Sequence, residues 1–532
     1  MARYFVGYEK IIRTFGLPAR PHRITSRIDT SAKSRSSEQE KDRTIQIFDP
    51  RYDKGDKLES QLAFAFRYEG INLEILAFLF RKTGEEEITA WLKREPRGKY
   101  ARMAGFLYEF LTGKNLHVSD TPPVQSVKIL DPEKYVTGTP VKNRRFHVEN
   151  NLLGAPEFCP VIRLNQTTAR APEGRLKSEL HELMKRVDYR LLERADGYLY
   201  TKETRSSFKI EGERPTVERV SRFVSLLFRS QNVDQITEEW LTQIQNAIVE
   251  PRFSAKGIRK EQNWIGGSIG YHEYVDFVPP SPEDLPSLMS GWMAFSNRIL
   301  RGGTLDFVVA KAAAASFGFV FLHPFMDGNG RIHRFLIHQM LSVNGLTPDG
   351  FVLPVSAVIL SKKSDYLSTL EAFSRPLKAF VSFDPGNPSI PAEGNDPIYY
   401  RYFDATPQSN FLETAVRESV EKDLPREIDF LVKRDKVRER LDRTFDWKND
   451  GSLDFMINLL VQNDGHLSKA KKEKFFSDLH PETVEEIEKI FADVFSGAKI
   501  SPEEAIEDFD GSIGTKDGSP EIFRKRDFDL KP

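Results

Sequence analysis

Apolar residues along most of this chain return at helical spacing. From Leu62 to Phe80 and from Tyr100 to Leu111, aliphatic and aromatic side chains recur every three or four positions, with Gly113 placed to stop the second run. Between Leu305 and Leu322 the chain is Ala-rich and apolar nearly all round, the mark of a buried helix. His323-Pro324 ends it, because proline lacks a backbone donor and restrains the residue before it. Ile332, Phe335, Leu336 and Met340 resume the period, so a second helix is expected from near Arg331. Past Tyr399 the spacing is again helical. Ile428, Leu431 and Val432 form one face, Leu453, Met456, Leu459 and Leu460 another, and Ser468 and Pro481 mark helix starts. One stretch reads differently: glycines among aromatic and β-branched residues from Glu261 to Tyr271, then Phe277-Val278-Pro279-Pro280, predict a β-hairpin.

The pattern predicts a mainly α protein with a mixed α/β region at its N-terminal end. Domains are expected at 1–171, with a mobile basic loop over Arg20 to Lys41, and at 172–380, a helical core with the hairpin. A Pro/Gly-rich linker at 381–398, a helical domain at 399–497 and a flexible charged tail at 498–532 complete the division. Composition narrows the classes. A length of 532 residues is enough for about three domains. A formal net charge of −1 excludes nucleic-acid or membrane binding driven by overall charge. The basic N-terminal segment could meet DNA, but a solvated face is the favoured reading. The one cysteine, Cys159, reads as a packed thiol and fits a reducing compartment. With no 18-residue apolar span and no signal-peptide core, a cytoplasmic location is expected.

The chemistry is concentrated in His323-Pro324-Phe325-Met326-Asp327-Gly328-Asn329-Gly330-Arg331-Ile332-His333-Arg334. A glycine loop running into a helix N-terminus offers free N–H groups and partial positive charge to an anion. Arg331 and Arg334 lie one turn apart, and each guanidinium can fork onto phosphate oxygens. A lone Asp327 suits Mg²⁺, which takes one or two carboxylates and fills its shell with water and phosphate. His323, ordinarily titrating at roughly 6.5, can accept the proton of an attacking hydroxyl. His333 and His338 are off a common helix face and read as structural.

This segment resembles the core motif of the Fic family, HPFx(D/E)GNGRxxR, and matches it at every fixed position. The resemblance implies a helical Fic core that transfers AMP from ATP to a Ser, Thr or Tyr hydroxyl of a protein, releasing pyrophosphate. His323 would then be the base and Asp327 the Mg²⁺ ligand. Gly328, Asn329 and Gly330 would cradle the nucleotide phosphates, and Arg331 and Arg334 would orient them. Gly330 favours AMP transfer over phosphorylation, since the phosphorylating branch has lysine there. Ser207-Phe208-Lys209-Ile210-Glu211-Gly212 resembles the family's inhibitory sequence, (S/T)xxxE(G/N). Ser207, Glu211 and Gly212 would belong to a helix whose glutamate competes with the γ-phosphate for Arg334, and in some relatives that glutamate also serves AMP removal. The hairpin resembles the Fic flap, with Trp264 and Ile265 toward an extended target and Ile265, Gly266 and Gly267 over ATP. An ordinary surface hairpin with Trp264 packed inward is the alternative. Tyr366 sits where relatives contact adenine, or is a core tyrosine. The target the resemblance implies is a protein, with the chain itself one candidate, and relatives often form homodimers. Two other classes stay open: an ATP-sensing or DNA-binding module, and transfer of another nucleotide or of phosphate.

Overall fold

A computed structural model describes residues 3–40, 43–164, 173–185, 189–229, 233–269, 272–301, 306–348, 351–447, 450–475 and 479–495. The described chain is mainly helical and falls into two units. The first comprises Met1–Met184 and Asp196–Asp423, and the second Lys185–Ala195 and the chain from Leu424.

The N-terminal part of the first unit opens with β1 (Arg3–Val6), α1 (Tyr8–Phe15), β2 (Ile24–Asp29), β3 (Ser36–Glu40) and β4 (Arg43–Phe48). The strands lie in the order β1-β2-β4-β3, with β2 and β4 parallel and the other pairs antiparallel. Val6, Ile28, Phe48 and Phe64 form a common core beneath them. This corrects the mobile loop expected from Arg20 to Lys41, whose last residue lies outside the described ones. Three of the four arginines of this stretch are engaged by neighbouring side chains. Arg27 and Arg35 lie over the rings of Phe5 and Phe48 at 4.8 and 4.9 Å, and Arg20 donates to Glu74 at 2.8 Å. Charges engaged in this way are poor evidence for DNA contact.

α2 (Leu58–Tyr68), α3 (Leu73–Thr83), α4 (Glu86–Arg94) and α5 (Lys99–Thr112) follow, and short strands β5 (Val127–Lys128), β6 (Val141–Asn143) and β7 (Val148–Asn150) make a second sheet. The run read as Leu62 to Phe80 is two helices, broken at Gly70. There the backbone has φ 89° and the Tyr135 hydroxyl fills the space a side chain would need. Gly113, at φ 68°, ends α5 as expected.

The rest of the unit holds α6 (Glu173–Lys185) except its last residue, α7 (Tyr189–Ile210) from Asp196 onward, α8 (Val217–Arg229), α9 (Glu238–Ile248), and the hairpin β8 (Ile265–Ile269) and β9 (His272–Phe277). Then come α10 (Leu285–Leu300), α11 (Val308–Leu322), α12 (Asn329–Val343), α13 (Val355–Ser361), α14 (Lys363–Leu377), α15 (Ile398–Arg401) and α16 (Thr406–Glu418). α11 is buried all round and packs on α10, α12 and α16. Because α16 covers α11, the boundary expected near 399 is not where the unit ends. The Pro/Gly stretch is an excursion that returns to the same body. Tyr400 donates from its hydroxyl to the Val278 carbonyl, and Phe403 packs edge-on to Phe321. Cys159 is fully buried, which pushes its thiol up to about 12, as a packed thiol requires.

The second unit contains α17 (Leu424–Thr444), α18 (Asp450–Gln462), α19 (Lys469–Phe475) and α20 (Pro481–Phe495). α17 packs on α18 and α20. Ile428, Leu431, Leu453, Met456, Leu459 and Leu460 are buried, as their spacing predicts. The tail expected from 498 lies outside the described residues. Among those residues, no helix is long and apolar enough to cross a membrane.

Candidate active site

The site is built where α11 stops and α12 begins. His323 is the residue after α11, in the left-handed region at φ 49°, ψ 57°, an unfavourable conformation for a residue with a β-carbon. Pro324 turns the chain, and Gly328, at φ 90°, starts α12. A β-carbon at Gly328 would also press on Val249. Asn329 holds the loop in shape. Its side chain accepts from the Phe325 amide at 3.0 Å and donates to the Phe325 carbonyl at 2.7 Å. Its amide side chain therefore closes the loop, and only its backbone N–H is left for a phosphate cradle.

The Nδ1 atom of His323 lies 3.2 Å from the Val320 carbonyl. Nδ1 must donate to that acceptor, which leaves the Nε2 lone pair able to accept a proton. Burial pushes the imidazole down to about 4. The positive Arg259 lowers it further, while the Val320 carbonyl and the Glu211 and Asp327 carboxylates oppose the shift. His323 is therefore neutral at physiological pH.

Asp327 accepts from the Gly328 amide at 2.6 Å and from Arg331 at 2.9 Å, both through Oδ1. Oδ2 lies outside those bonds. One carboxylate with a spare oxygen beside an anion cradle fits a hard divalent cation that draws its other ligands from phosphate and water.

Arg331 and Arg334 are nearly fully buried. Each meets a carboxylate from the segment that ends α7. Arg334 pairs with Glu211 at 2.8 Å, and donates to the hydroxyl and the carbonyl of Ser207, both at 2.8 Å. Arg331 pairs with Glu213 at 3.1 Å, and Glu213 also accepts from Arg219 at 2.8 Å. Burial works to raise the Glu211 carboxyl, but the charge and hydrogen bond of Arg334, with Arg331 behind it, outweigh burial and hold it below the usual range. Arg331 Nε and Arg334 Nη1 are buried with no well-formed hydrogen bond among the described residues. Unsatisfied buried cationic donors of this kind suit a multivalent anion.

Local sequence explains why Glu211 arrives there. Gly212 takes φ 74° just beyond α7, and the Lys363 ammonium donates to the Ile210 carbonyl at 3.0 Å, a cation on a helix C-terminus. Gly330 supplies the room, since a β-carbon there would collide with the Glu211 carboxylate.

The hairpin forms as predicted, although Gly270 and Tyr271 lie outside the described residues. Ile265 is 39% exposed, and Trp264 is half-buried across Gly266. Gly266 and Gly267 have no room for side chains because Trp264 and Tyr274 cover them. Tyr366 is a core tyrosine. Its ring lies 6.1 Å from Phe317 and 5.8 Å from Phe411, and burial pushes its hydroxyl up to about 12. His333 packs edge-on against Phe317 at 4.5 Å, and His338 meets the buried Glu203 at 2.6 Å, so both are structural. Reading the sequence missed Glu213, Arg219 and Arg259. Glu213 had a signal, because two buried arginines call for two carboxylates, and it stands two residues after the first.

A neutral imidazole, the Asp327 carboxylate and two buried guanidinium groups, each also paired with a carboxylate from the segment that ends α7, gather around one helix N-terminus and make a site suited to a polyanion. Comparison with known proteins points to one family for this part of the chain: residues 235–341 match the Fic/DOC family model. A relative named "Protein adenylyltransferase Fic" from Culex quinquefasciatus is 29% identical over 177 residues, 31% of this chain and 31% of that one. Its namesake from Aedes aegypti is 32% identical over 130 residues, 23% of this chain and 22% of the relative. The chain thus spans less than a third of the length of these curated relatives. The crystal structure of a Fic domain containing signaling protein from Bacteroides thetaiotaomicron is 18% identical, covers 49% of this chain and 97% of its own, and superposes with a TM-score of 0.35. The segment Ser207–Gly212 lies upstream of the matched span.

Proposed function

We propose that this protein transfers AMP from ATP to a hydroxyl of a protein, and that Glu211 holds the activity in check. The observation that carries the reading is the convergence of His323 Nε2, Asp327, Arg331 and Arg334 on the N-terminus of α12, inside a segment that matches the Fic family. The target hydroxyl attacks the α-phosphorus as His323 Nε2 takes its proton, and the bond from that phosphorus to the bridging oxygen breaks to release pyrophosphate. The Val320 carbonyl keeps Nδ1 protonated so that Nε2 remains the acceptor. Arg331 and Arg334 hold the departing phosphates, and the first amides of α12 meet their charge. Asp327 would hold Mg²⁺, which supplies neutralisation of phosphate charge. The flap edge orients an extended target by main-chain hydrogen bonds. Glu211 occupies the guanidinium the γ-phosphate requires, so ATP and Glu211 compete. The same carboxylate, aimed at a water, could serve AMP removal.

The test is transfer from α-labelled and γ-labelled ATP with Mg²⁺, comparing wild type, Glu211→Gly and His323→Ala. Label from the α position alone, increased by Glu211→Gly and lost with His323→Ala, is the expected result. Label from the γ position would make the protein a kinase. No label from either in Glu211→Gly would overturn the reading, turning attention to other nucleotides or to a binding module.

A further inference from the structure

The proposed reaction needs the target hydroxyl and His323 in one frame, yet the flap and the end of α11 are separate parts of the chain. We propose that Arg259 is the positioning residue that ties the flap to the catalytic histidine. Its effect on rate rests on the AMP-transfer reading, whereas its effect on structure rests on geometry alone.

Arg259 is 5% exposed, and its guanidinium donates to three backbone carbonyls. Nε reaches His323 at 2.9 Å, Nη1 reaches Glu261 at 2.9 Å, and Nη2 reaches Pro280 at 2.6 Å. Its own amide donates to the Pro324 carbonyl at 2.8 Å. Glu261 and Pro280 are the roots of the hairpin: the chain enters β8 after one and leaves β9 before the other. Other side chains brace the region singly. Asn263 donates to Phe325, Gln262 and Asn395 to Pro279, and Tyr400 to Val278. Among the described residues, Arg259 alone joins both roots to His323.

Two further features point the same way. His323 sits at φ 49°, a conformation that persists only where neighbours over-determine it, and Arg259 holds the carbonyls on both sides of the His323–Pro324 junction. In addition, the hydrogen bonds of the Arg259 guanidinium go to carbonyl dipoles, with the Glu283 carboxylate facing it only from farther away. Glu211 and Asp327 face the His323 imidazole with the sign opposite to that of Arg259. A planar guanidinium can serve three diverging acceptors, whereas an ammonium is a point donor at the end of a flexible stem.

The test uses the full chain with Arg259→Lys and Arg259→Ala, each with wild-type Glu211 and with Glu211→Gly. Amide hydrogen exchange in peptides covering 261–280 should accelerate more than tenfold in both variants, with the interior of α12 unchanged. In the Glu211→Gly background, AMP transfer should fall more than thirtyfold while the affinity for Mg²⁺·ATP, measured by calorimetry, stays within threefold. Lysine should not rescue. Unchanged exchange in the flap, equal acceleration through the whole core, or restoration by lysine would each overturn the proposal. If the alanine variant does not fold, the lysine variant carries the comparison. If the Glu211→Gly parent transfers nothing, the AMP-transfer reading fails, while the exchange result still decides the role of Arg259.

Discussion

Removing the Glu211 carboxylate should raise AMP transfer about tenfold. Arg334 is 1% exposed and bonds Glu211 at 2.8 Å. A hydrogen bond to a charged group contributes about 1.5–3 kcal/mol. The Glu211 side chain is 37% open to solvent, which screens the pair and selects the lower end. At roughly 1.4 kcal/mol per decade, that is a factor of about ten in the occupancy of Arg334 by phosphate. Glu213→Gln should do less, a few-fold at most, because Arg331 keeps Asp327 at 2.9 Å when Glu213 is neutralised. Glu211→Gln separates charge from bulk, since it retains the volume beside Gly330 while losing the ion pair. Initial rates of α-label transfer, at ATP concentrations above and below saturation, give the ranking. A Glu211→Gly rate at or below wild type, with Glu213→Gln the faster enzyme, would refute the assignment of the check to Arg334 and move it to Arg331.

The pH dependence of transfer by Glu211→Gly should be flat from pH 8 to about 5, because burial holds His323 down to about 4 and removing Glu211 removes one influence that raises it. An inflection near the ordinary histidine value of about 6.5 would show that His323 is not the base in that environment. Asp327→Asn should reduce transfer more than a hundredfold and weaken Mg²⁺-dependent ATP binding; calorimetry with and without the cation reads the difference, and equal loss in both would make Asp327 merely a support for Arg331. In the N-terminal region, burial pushes the Glu69 carboxyl up to about 7 from 4.5. The folded chain then keeps a proton that the unfolded chain releases between those values, so the fold loses stability as pH rises through that window. Glu69→Gln should therefore gain on wild type by about 2 kcal/mol more at pH 8 than at pH 5.5. Denaturation midpoints at the two pH values check this, and equal offsets would mean that Glu69 is ionised in the fold.

What could be read from the sequence, and what could not, divides by the range of the interactions. His323, Asp327, Arg331 and Arg334 lie within one helix end and one helix start, so spacing alone brings them together. Glu211 is distant in sequence, but a carboxylate answering a buried arginine leaves a residue-type signature, and Gly212 and Gly330 mark the space it needs. The arginines between Arg20 and Lys41 misled because charge on a strand looks like solvation until Phe5 and Phe48 are seen beneath it. The Asn329 side chain closes the loop and Tyr366, open between an adenine contact and a core ring, has its ring packed against Phe317 and Phe411, functions that the same residue types fill equally well. Arg259 gave no sign at all. Its partners are the backbone carbonyls of Glu261, Pro280 and His323, and since every residue offers a carbonyl, no choice of side chain at those positions records the bond. Residues that act on charge can thus be inferred from complementary charges far along the chain, whereas residues that position backbone emerge only when the fold shows which carbonyls converge.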